Sequence, residues 1–301
     1  MDLYDELSFD NIIIQPIKDA VFTKHNIQLD VLRLDAMHPV VSGNKWFKLK
    51  YYLQEAIAQH KTSVATFGGA FSNHIIATAY TCHKLNLECT GFIRGEEPAH
   101  YSQTLLDAKA LNMQLRFISR DAYKNKQLIT AYHPFFYFIP EGGYGKTGAK
   151  GAAEILQFVP GISSYHYMVC AVGTGTMLAG ITNASLSHQQ CIGISVMKNN
   201  LSLREETDTL VTDGKEKNIE LLHNYHFGGY ARYSQQLIDF MHNMKNSQQL
   251  ELDFVYTAKA MFGIYDLAEK NHFAEGSKII FVHSGGLQGN RSLKTGTLSN
   301  K

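Results

Sequence analysis

The chain has 301 residues, of which 45% are hydrophobic and 18% charged, a balance typical of globular proteins. Its 28 Lys and Arg residues nearly match its 27 Asp and Glu residues, so charge does not favour nucleic acid or an anionic membrane as partner. No stretch approaches the roughly 18 apolar residues of a membrane span, and no His or Cys spacing is typical of a metal site. Because the acidic N-terminus also lacks a secretory signal, we expect a cytoplasmic protein without a metal.

Short apolar runs alternate with helical patterns, which favours parallel sheets covered by helices, an α/β fold. The segment 203–233 suggests a helix, a turn and a short strand. In chain order the predicted elements are strand 63–69, helix 73–85, strand 87–95, helix 102–112, strand 114–120, strand 135–143, helix 149–159, strand 165–172, helix 176–186, strand 191–197 and strand 277–286. About four such units precede residue 145 and several follow it, which indicates two lobes with a cleft between them.

The four cysteines are expected to be buried free thiols, as in proteins of a reducing compartment. Cys170 lies within an apolar run and Cys191 opens another. The other two are Cys82 and Cys89.

The stretch VCAVGTGTMLAG (169–180) predicts a strand, a glycine loop and a helix. Gly173 and Gly175 let the backbone approach an anion, Thr174 and Thr176 offer hydroxyls, and the helix directs its free N–H groups to the same place. The spacing is not that of a dinucleotide fingerprint, and no Gly-Lys-Ser/Thr sequence follows, so a small monophosphate fits best. A structural turn that binds nothing is the alternative.

Three further glycine turns follow predicted strands, at 66–74, 140–148 and 283–290. In the first, Ser72 or Asn73 can cap the helix. Alternatively Ser72, Asn73 and His74 face a ligand from the mouth of the helix. We expect several of these turns to line one pocket.

The stretch HPVVSGNKWFKLKYYL (38–53) contains a lysine at the start of a predicted helix. Ser42 or Asn44 is the expected N-cap, and Trp46, Leu49, Leu53 and Ile57 form an apolar stripe. Lys45 then lies where the helix macrodipole disfavours a cation and lowers the lysine pKa.

The two neighbouring lysines, Lys48 and Lys50, are expected to be solvated charges. A neutral amine at Lys45, near a phosphate cradle, suggests a Schiff base with pyridoxal 5′-phosphate.

The ordered set SGNK, SNH, PEGG, GTGT, VYTAKA and HSGG resembles the pyridoxal-phosphate-dependent family of 1-aminocyclopropane-1-carboxylate deaminase and D-cysteine desulfhydrase. The similarity runs from about residue 33 to residue 290. It implies fold type II, with residues 1–47 and 148–301 as the large cofactor-binding lobe and 48–147 as the small lobe. A homodimer acting on a small amino acid is the corresponding expectation.

The resemblance also implies roles for individual residues. Lys45 would carry the cofactor, Asn73 would bind its phenolic oxygen and Ser72 would lie by the substrate carboxylate. His74 follows the desulfhydrase form of the motif. Gly173, Thr174, Gly175 and Thr176 would bind the cofactor phosphate.

The remaining implied positions lie near the C-terminus. Tyr256 would lie over the substrate, Thr257 would contact the substrate as Ser72, Asn73 and His74 would, and Ser284 would hydrogen-bond the pyridine nitrogen. A hydroxyl partner leaves that nitrogen largely unprotonated, which suits β-elimination. Ala258 departs from the glycine common in the family and puts the substrate in question.

Thr257 and Ser284 favour D-cysteine desulfhydrase, which releases pyruvate, ammonia and sulfide. In the family, the cyclopropane deaminases carry glutamate and leucine at these two places. Deamination of the cyclopropane to 2-oxobutyrate is the second reading, and a catalytically degenerate cofactor-binding protein is the third.

Overall fold

The computed structural model describes residues 9–41, 43–212, 214–294 and 296–298. Strands and helices alternate through most of this part of the chain. The strands are β1 (Ile14–Ile17), β2 (Gln28–Arg33), β3 (Ser63–Gly68), β4 (Glu88–Arg94), β5 (Gln114–Ile118), β6 (Tyr137–Ile139), β7 (Tyr167–Val172), β8 (Gln190–Ser195), β9 (Ile219–Leu222) and β10 (Lys278–His283). The helices are α1 (Ala20–Lys24), α2 (Asn44–Ala58), α3 (Asn73–Lys84), α4 (Gln103–Ala110), α5 (Lys126–Tyr132), α6 (Lys146–Ala153), α7 (Thr176–Ala184), α8 (Leu203–Asp208), α9 (Gln235–Gln248) and α10 (Thr257–Glu269).

These strands form two sheets. The larger has the order β1-β2-β10-β7-β8-β9, and only its edge strand β1 pairs antiparallel. The smaller has the order β5-β4-β3-β6 and is parallel throughout. The predicted two-lobed α/β fold is therefore confirmed.

Helices cover both faces of the central strands, so their side chains are buried almost without alternation. All six residues of β3 are buried, and so are five of the six in β7. The carboxyl ends of the parallel strands then carry the glycine turns, which places those turns along the edges that meet in the cleft.

Helix α2 connects the two halves of the core. It packs against α3 of the smaller lobe and against α6, which in turn packs against α7. Trp46, Leu49 and Leu53 are buried as predicted, whereas Ile57 is 48% exposed and is not part of the apolar stripe.

The N-terminus of α2 also differs from expectation. The N-cap is Gly43, with φ +65° and no side-chain hydrogen bond, and Asn44 is already the first helical residue. Ser42, the other predicted cap, lies outside the described residues. Lys48 and Lys50 are buried, and Lys50 forms an ion pair with Glu154, so their prediction as solvated charges is wrong.

Two predicted elements are shorter than their sequence patterns suggest. The strand predicted at 135–143 is confined to β6, because Pro140 has no N–H to continue the ladder. The helix predicted at 149–159 begins earlier, at Lys146, and its last part, Glu154–Phe158, is a 3₁₀ turn before Pro160.

The predicted lobe boundaries fall inside helices. The division at 47/48 lies within α2, and that at 147/148 lies within α6. Among the described residues, the smaller sheet takes all its strands from 63–139, and the larger sheet takes strands from both sides of that segment. The exact boundaries remain a prediction.

The four cysteines are free and buried, as predicted. Within the described part of the chain, no helix is both long and apolar enough to cross a membrane. The same residues contain no group of three His, Cys, Asp or Glu side chains that could hold a metal ion.

Candidate active site

A cavity of about 330 Å³ lies where the carboxyl ends of strands from both sheets face each other. The turns after β3, β6, β7 and β10 all contribute to its wall, so the four glycine turns of the sequence meet around one space. Its lining includes Lys45, Lys48, Ser72, Asn73, His74, Arg94, Gly173, Thr174, Gly175, Tyr230, Tyr256 and Ser284.

Lys45 is the second residue of α2, and its Nζ donates to Asn44 Oδ1 at 2.6 Å. Asn44 also donates through Nδ2 to the sulfur of Met177 at 3.2 Å, which ties this end of α2 to α7. Burial lowers the pKa of Lys45 to about 8, and the Asp253 carboxylate opposes the shift. A fraction of this amine is therefore neutral near physiological pH, as a nucleophile or general base requires.

Lys48 is a second amine in the cavity. It is 6% exposed, and its Nζ donates to the carbonyl of Gly142 at 3.4 Å. Burial, and after it the charge of Lys45, lower the pKa of Lys48 to about 7. The spacing of three residues from Lys45 places both lysines on one helix face, but the sequence pattern did not distinguish Lys48 from a solvated lysine.

The loop from Gly173 to Thr176 leads from β7 into α7. Gly175 is the N-cap of α7, with φ +78° and no side-chain cap, so the N–H groups of the first turn have no capping side chain. Thr174 Oγ1 lies 3.1 Å from Thr176 Oγ1. Thr176 itself is fully buried and does not line the cavity, so its side chain supports Thr174 from behind.

Ser72 is the N-cap of α3, as one of the two sequence alternatives predicts. Its Oγ accepts from the N–H groups of His74 at 3.2 Å and Ile75 at 3.4 Å, and its own hydrogen stays available to a ligand. Asn73, the first residue of the helix, has a buried Oδ1 without a hydrogen-bond partner among the described residues. Its amide is thus available to a bound group.

The ring of His74 is neutral, and its tautomer follows from its neighbour. Thr66 Oγ1 donates to the carbonyl of Ile139 at 2.8 Å, so it must accept from His74 Nε2, also at 2.8 Å. Nδ1 is then a bare acceptor, and it is buried without a partner in the described part of the chain. Burial, followed by the charges of Lys45 and Lys48, lowers the pKa of His74 to about 3.

Ser284 follows β10 and lies against the lysine turn. Its carbonyl accepts from the N–H of Asn44 at 3.3 Å, and a Cβ on Gly43 would stand 1.8 Å from the same oxygen. Only glycine permits this approach, which places the SGNK turn directly on the HSGG turn. Ser284 is 8% exposed and lines the cavity.

Tyr256 and Tyr230 both line the cavity, and their rings are in contact. Their ring centroids are 6.1 Å apart in an edge-to-face arrangement. Burial, and after it the neighbouring Tyr230, raise the pKa of Tyr256 well above its ordinary value, so this phenol keeps its proton at neutral pH. The sequence motifs did not indicate Tyr230, although it directly follows a Gly-Gly pair.

Thr257 is fully buried and does not line the cavity. Its Oγ1 accepts from the N–H of Asp253 at 2.7 Å and donates to Asp253 Oδ1 at 2.8 Å. Asp253 in turn accepts from the N–H groups of Val255, Tyr256 and Thr257, each at 2.9 Å. The structure therefore separates Thr257 from the predicted substrate contacts, and a carboxylate that the sequence did not reveal fixes the turn carrying Tyr256.

The cavity meets the chemical requirements of pyridoxal phosphate. It offers a partly neutral amine at Lys45, an uncapped helix N-terminus at Gly175 and, at Asn73, a buried amide oxygen without a partner among the described residues. A Cβ on Gly173 would lie 3.3 Å from the Tyr256 ring, so the loop opposes that ring without a side chain in between.

Comparison with known proteins gives the same result. The sequence profile described as "Pyridoxal-phosphate dependent enzyme" matches residues 19–285. A Thermotoga maritima protein named "Putative 1-aminocyclopropane-1-carboxylate deaminase" is 30% identical over 292 residues, which cover 88% of this chain and 91% of the relative. The mitochondrial "Bifunctional D-cysteine desulfhydrase/1-aminocyclopropane-1-carboxylate deaminase" of Arabidopsis thaliana is 28% identical over 296 residues, covering 87% and 73%.

A crystal structure described as that of an ACC deaminase homologue is also similar. It matches with a TM-score of 0.81 at 26% identity and covers 95% of this chain and 92% of its own. Because the family profile spans most of the chain and this fold recurs in a related structure, the chain belongs to the family of pyridoxal-phosphate dependent enzymes and has their fold type II architecture.

Proposed function

We propose that this protein is a pyridoxal-phosphate dependent lyase that eliminates the β-substituent of a small D-amino acid, with D-cysteine as the reference substrate. D-cysteine and water would give pyruvate, ammonia and hydrogen sulfide. The observation that carries the proposal is the convergence of a partly neutral amine, an uncapped helix N-terminus and a protonated tyrosine on one cavity. The preference for the D configuration rests on the names of relatives.

Five residues would hold the cofactor. Lys45 would carry it covalently, and the N-terminus of α7 after Gly175 would bind its phosphate. Lys48 would supply a positive charge to the same phosphate. Its Nζ donates to the carbonyl of Gly142, and Gly142 packs against Thr174 of the phosphate loop, since a Cβ added to Gly142 would lie 3.2 Å from the Thr174 side chain. Asn73 would bind the phenolic oxygen of the ring, and Ser284 would bind its pyridine nitrogen.

The bound cofactor supplies an electron sink for negative charge at the substrate α-carbon. Lys45 would be the base that takes the α-proton. Its pKa of about 8 is close to the working pH, where a general base is most effective. Ser72 has a free hydroxyl hydrogen for the substrate carboxylate, since its oxygen already accepts from two N–H groups of α3.

Tyr256 is suited to assist the leaving group. Because burial raises its pKa, the phenol remains protonated and can donate to the departing sulfur. The SH group would depart with the C–S bonding electrons, take one proton from Tyr256 and leave as hydrogen sulfide. The released enamine then hydrolyses in water to pyruvate and ammonia.

Ser284 is a neutral partner for the pyridine nitrogen. A hydroxyl does not enforce protonation of that nitrogen, so the ring is a weaker electron sink than one paired with a carboxylate. A good leaving group at the β-carbon lowers the demand on the sink. This favours β-elimination over the opening of a cyclopropane ring, which has no such leaving group.

Deamination of 1-aminocyclopropane-1-carboxylate is the second candidate. It is favoured by the names of the relatives, since the Thermotoga and Arabidopsis proteins both carry this activity in their names. Thr257 does not bear on the choice through direct contact, because its hydroxyl is engaged by Asp253.

The test is product release from a panel of D-cysteine, L-cysteine, D-serine and 1-aminocyclopropane-1-carboxylate. We expect pyruvate and sulfide from D-cysteine with a kcat/KM at least tenfold above that for 2-oxobutyrate from the cyclopropane. A preference for the cyclopropane would overturn the proposal. A protein that shows the near-visible absorbance of bound cofactor but turns over nothing on the panel would support the third, degenerate reading.

A further inference from the structure

The loop after β9 runs along one face of α10 in the opposite direction. Tyr225 Oη donates to Asp266 Oδ2 at 2.6 Å, and the rings of Phe227 and Phe262 meet edge to face at 5.0 Å. Tyr230 ends the series at the cavity, against Tyr256. Residues three or four apart share a helix face, so 256, 259, 262 and 266 form a single track for this loop.

Lys259 occupies the middle of that track. It is fully buried, and its Nζ donates to the carbonyls of His226 at 2.9 Å and Gly229 at 2.7 Å. A buried ammonium is costly unless hydrogen bonds satisfy it, so an apolar residue would be the default choice at such a position. Burial lowers the pKa of Lys259 to about 8, with Asp253 opposing.

The backbone conformation of the loop 226–231 explains why a hydrogen-bond donor is needed at position 259. Phe227, Gly228, Gly229 and Ala231 all have positive φ, between 50° and 118°. Two of them are not glycine, and a non-glycine residue in this region is strained. The resulting backbone directs the carbonyls of His226 and Gly229 at one point beneath the loop, where the lysine meets both.

We propose that Lys259 is a positioning residue that fastens the 226–231 loop to α10 and thereby holds Tyr230 against Tyr256 in the cavity. Lys259 does not line the cavity itself. It acts on the reaction through the ring of Tyr230, one residue beyond the second carbonyl that it binds. The kinetic consequence rests on the proposed lyase function, whereas the structural consequence does not.

The kinetic test is a double-variant cycle on the cofactor-loaded protein, with whichever panel substrate is turned over. Lys259→Met keeps the length of the side chain and removes its charge and donors. We expect it to lower kcat/KM at least tenfold in the wild-type background and at most twofold in Tyr230→Ala, which lacks the ring that Lys259 would hold in place. Equal losses in both backgrounds would overturn the assignment, because they would show that Lys259 does not act through Tyr230. Lys245→Met, an exposed lysine on α9, is the matched control.

The second test needs no turnover. Hydrogen exchange of residues 226–231 should be faster by tenfold or more in Lys259→Met, while α10 stays protected and the near-visible absorbance of bound cofactor is retained. Unchanged exchange in the loop would overturn the proposal even if the protein proved inactive on the panel. Lys259→Gln, which keeps one donor, repeats both tests if the methionine variant does not fold. Failure of both variants to fold would also overturn it, since the lysine would then be required for the fold rather than for placing the loop.

Discussion

Helices α3 and α7 both begin at the cavity, but their N-termini differ in whether a side chain caps the free N–H groups. Both α3 and α7 follow a buried parallel strand and a glycine turn. Ser72 caps α3 and accepts from two of its N–H groups, whereas Gly175 at the start of α7 offers no side-chain cap. An N-terminus that is satisfied by its own serine has less to offer an anion than one left uncapped.

We therefore expect the two helix ends to bind different groups. The uncapped end of α7, with Lys48 close by, suits a phosphate. The capped end of α3 has one hydroxyl hydrogen on Ser72 and one free amide on Asn73, which suits polar groups of a substrate and a cofactor ring. Lys45 at the start of α2 lies between them and would join the cofactor to the chain.

Removal of Lys45 should have the largest effect. Lys45→Ala takes away both the covalent link and the general base, so turnover should fall on the order of 10³-fold or more. The near-visible absorbance of lysine-bound cofactor should disappear, and the surface variant Lys150→Ala should keep it. Peptide mapping after borohydride reduction checks the link, and cofactor found on Lys48 instead would move the attachment one helical turn away.

Substitution of Gly175 should disturb the uncapped N-terminus of α7. In Gly175→Ala, the added Cβ would stand 2.2 Å from Thr207 Oγ1, at a residue with φ +78°. We expect cofactor affinity to fall at least tenfold, about 1.4 kcal/mol, by equilibrium titration. Gly161→Ala is the control, because φ is +62° there and the turn is remote from the cavity. Equal affinity losses in both variants would point to general strain rather than to a phosphate seat.

Substitution of Lys48 tests whether the uncapped N-terminus of α7 is sufficient to bind the cofactor phosphate. Lys48→Met should weaken cofactor binding about tenfold, because a buried amine beside the phosphate seat is lost. The same variant should raise the Tm of the cofactor-free protein, since it removes a buried amine whose desolvation destabilises the folded state. Unchanged affinity would show that the α7 N-terminus holds the phosphate without this lysine.

The lowered pKa of Lys48 predicts how the free energy of unfolding of the cofactor-free protein depends on pH. Lys48 has a pKa of about 7 when folded and an ordinary value of 10.5 when unfolded. Between these values the unfolded chain binds more protons, so the free energy of unfolding should rise with pH above 7. Urea unfolding at pH 7 and pH 9 measures the rise. Lys48→Met should flatten it, and a slope identical to the wild type would refute the assignment of this amine.

Ser72→Ala should have the smallest effect. Loss of the cap should cost about 1 kcal/mol of stability. The KM for the substrate should rise severalfold through the lost contact to its carboxylate, while cofactor affinity should stay within twofold. Ser234→Ala removes the equivalent cap of α9 away from the cavity and should match only the stability loss. A large drop in cofactor affinity in Ser72→Ala would erase the distinction between the two helix ends.

Much of this protein was readable from its sequence, for local reasons. The alternation of apolar runs and helical periods reflects burial of each element, so most strands and helices from 63 to 195 appear close to where they were predicted, with β6, α6 and the unpredicted α5 as exceptions. The glycine turns and the lysine of SGNK are also local signals, since they follow from backbone freedom and helix position. The expectations of a homodimer and of a cytoplasmic location remain predictions.

Only the tertiary structure determined the burial and the hydrogen-bond partners of side chains that contact distant segments of the chain. Lys48 is buried because the turn at Gly142 closes over α2, and nothing in its neighbouring residues marks this. The family resemblance implied that Thr257 contacts the substrate, but its hydroxyl donates to the carboxylate of Asp253 instead. Burial and hydrogen-bond partners are set by packing between elements far apart in the chain, so periodicity and composition carry little trace of them.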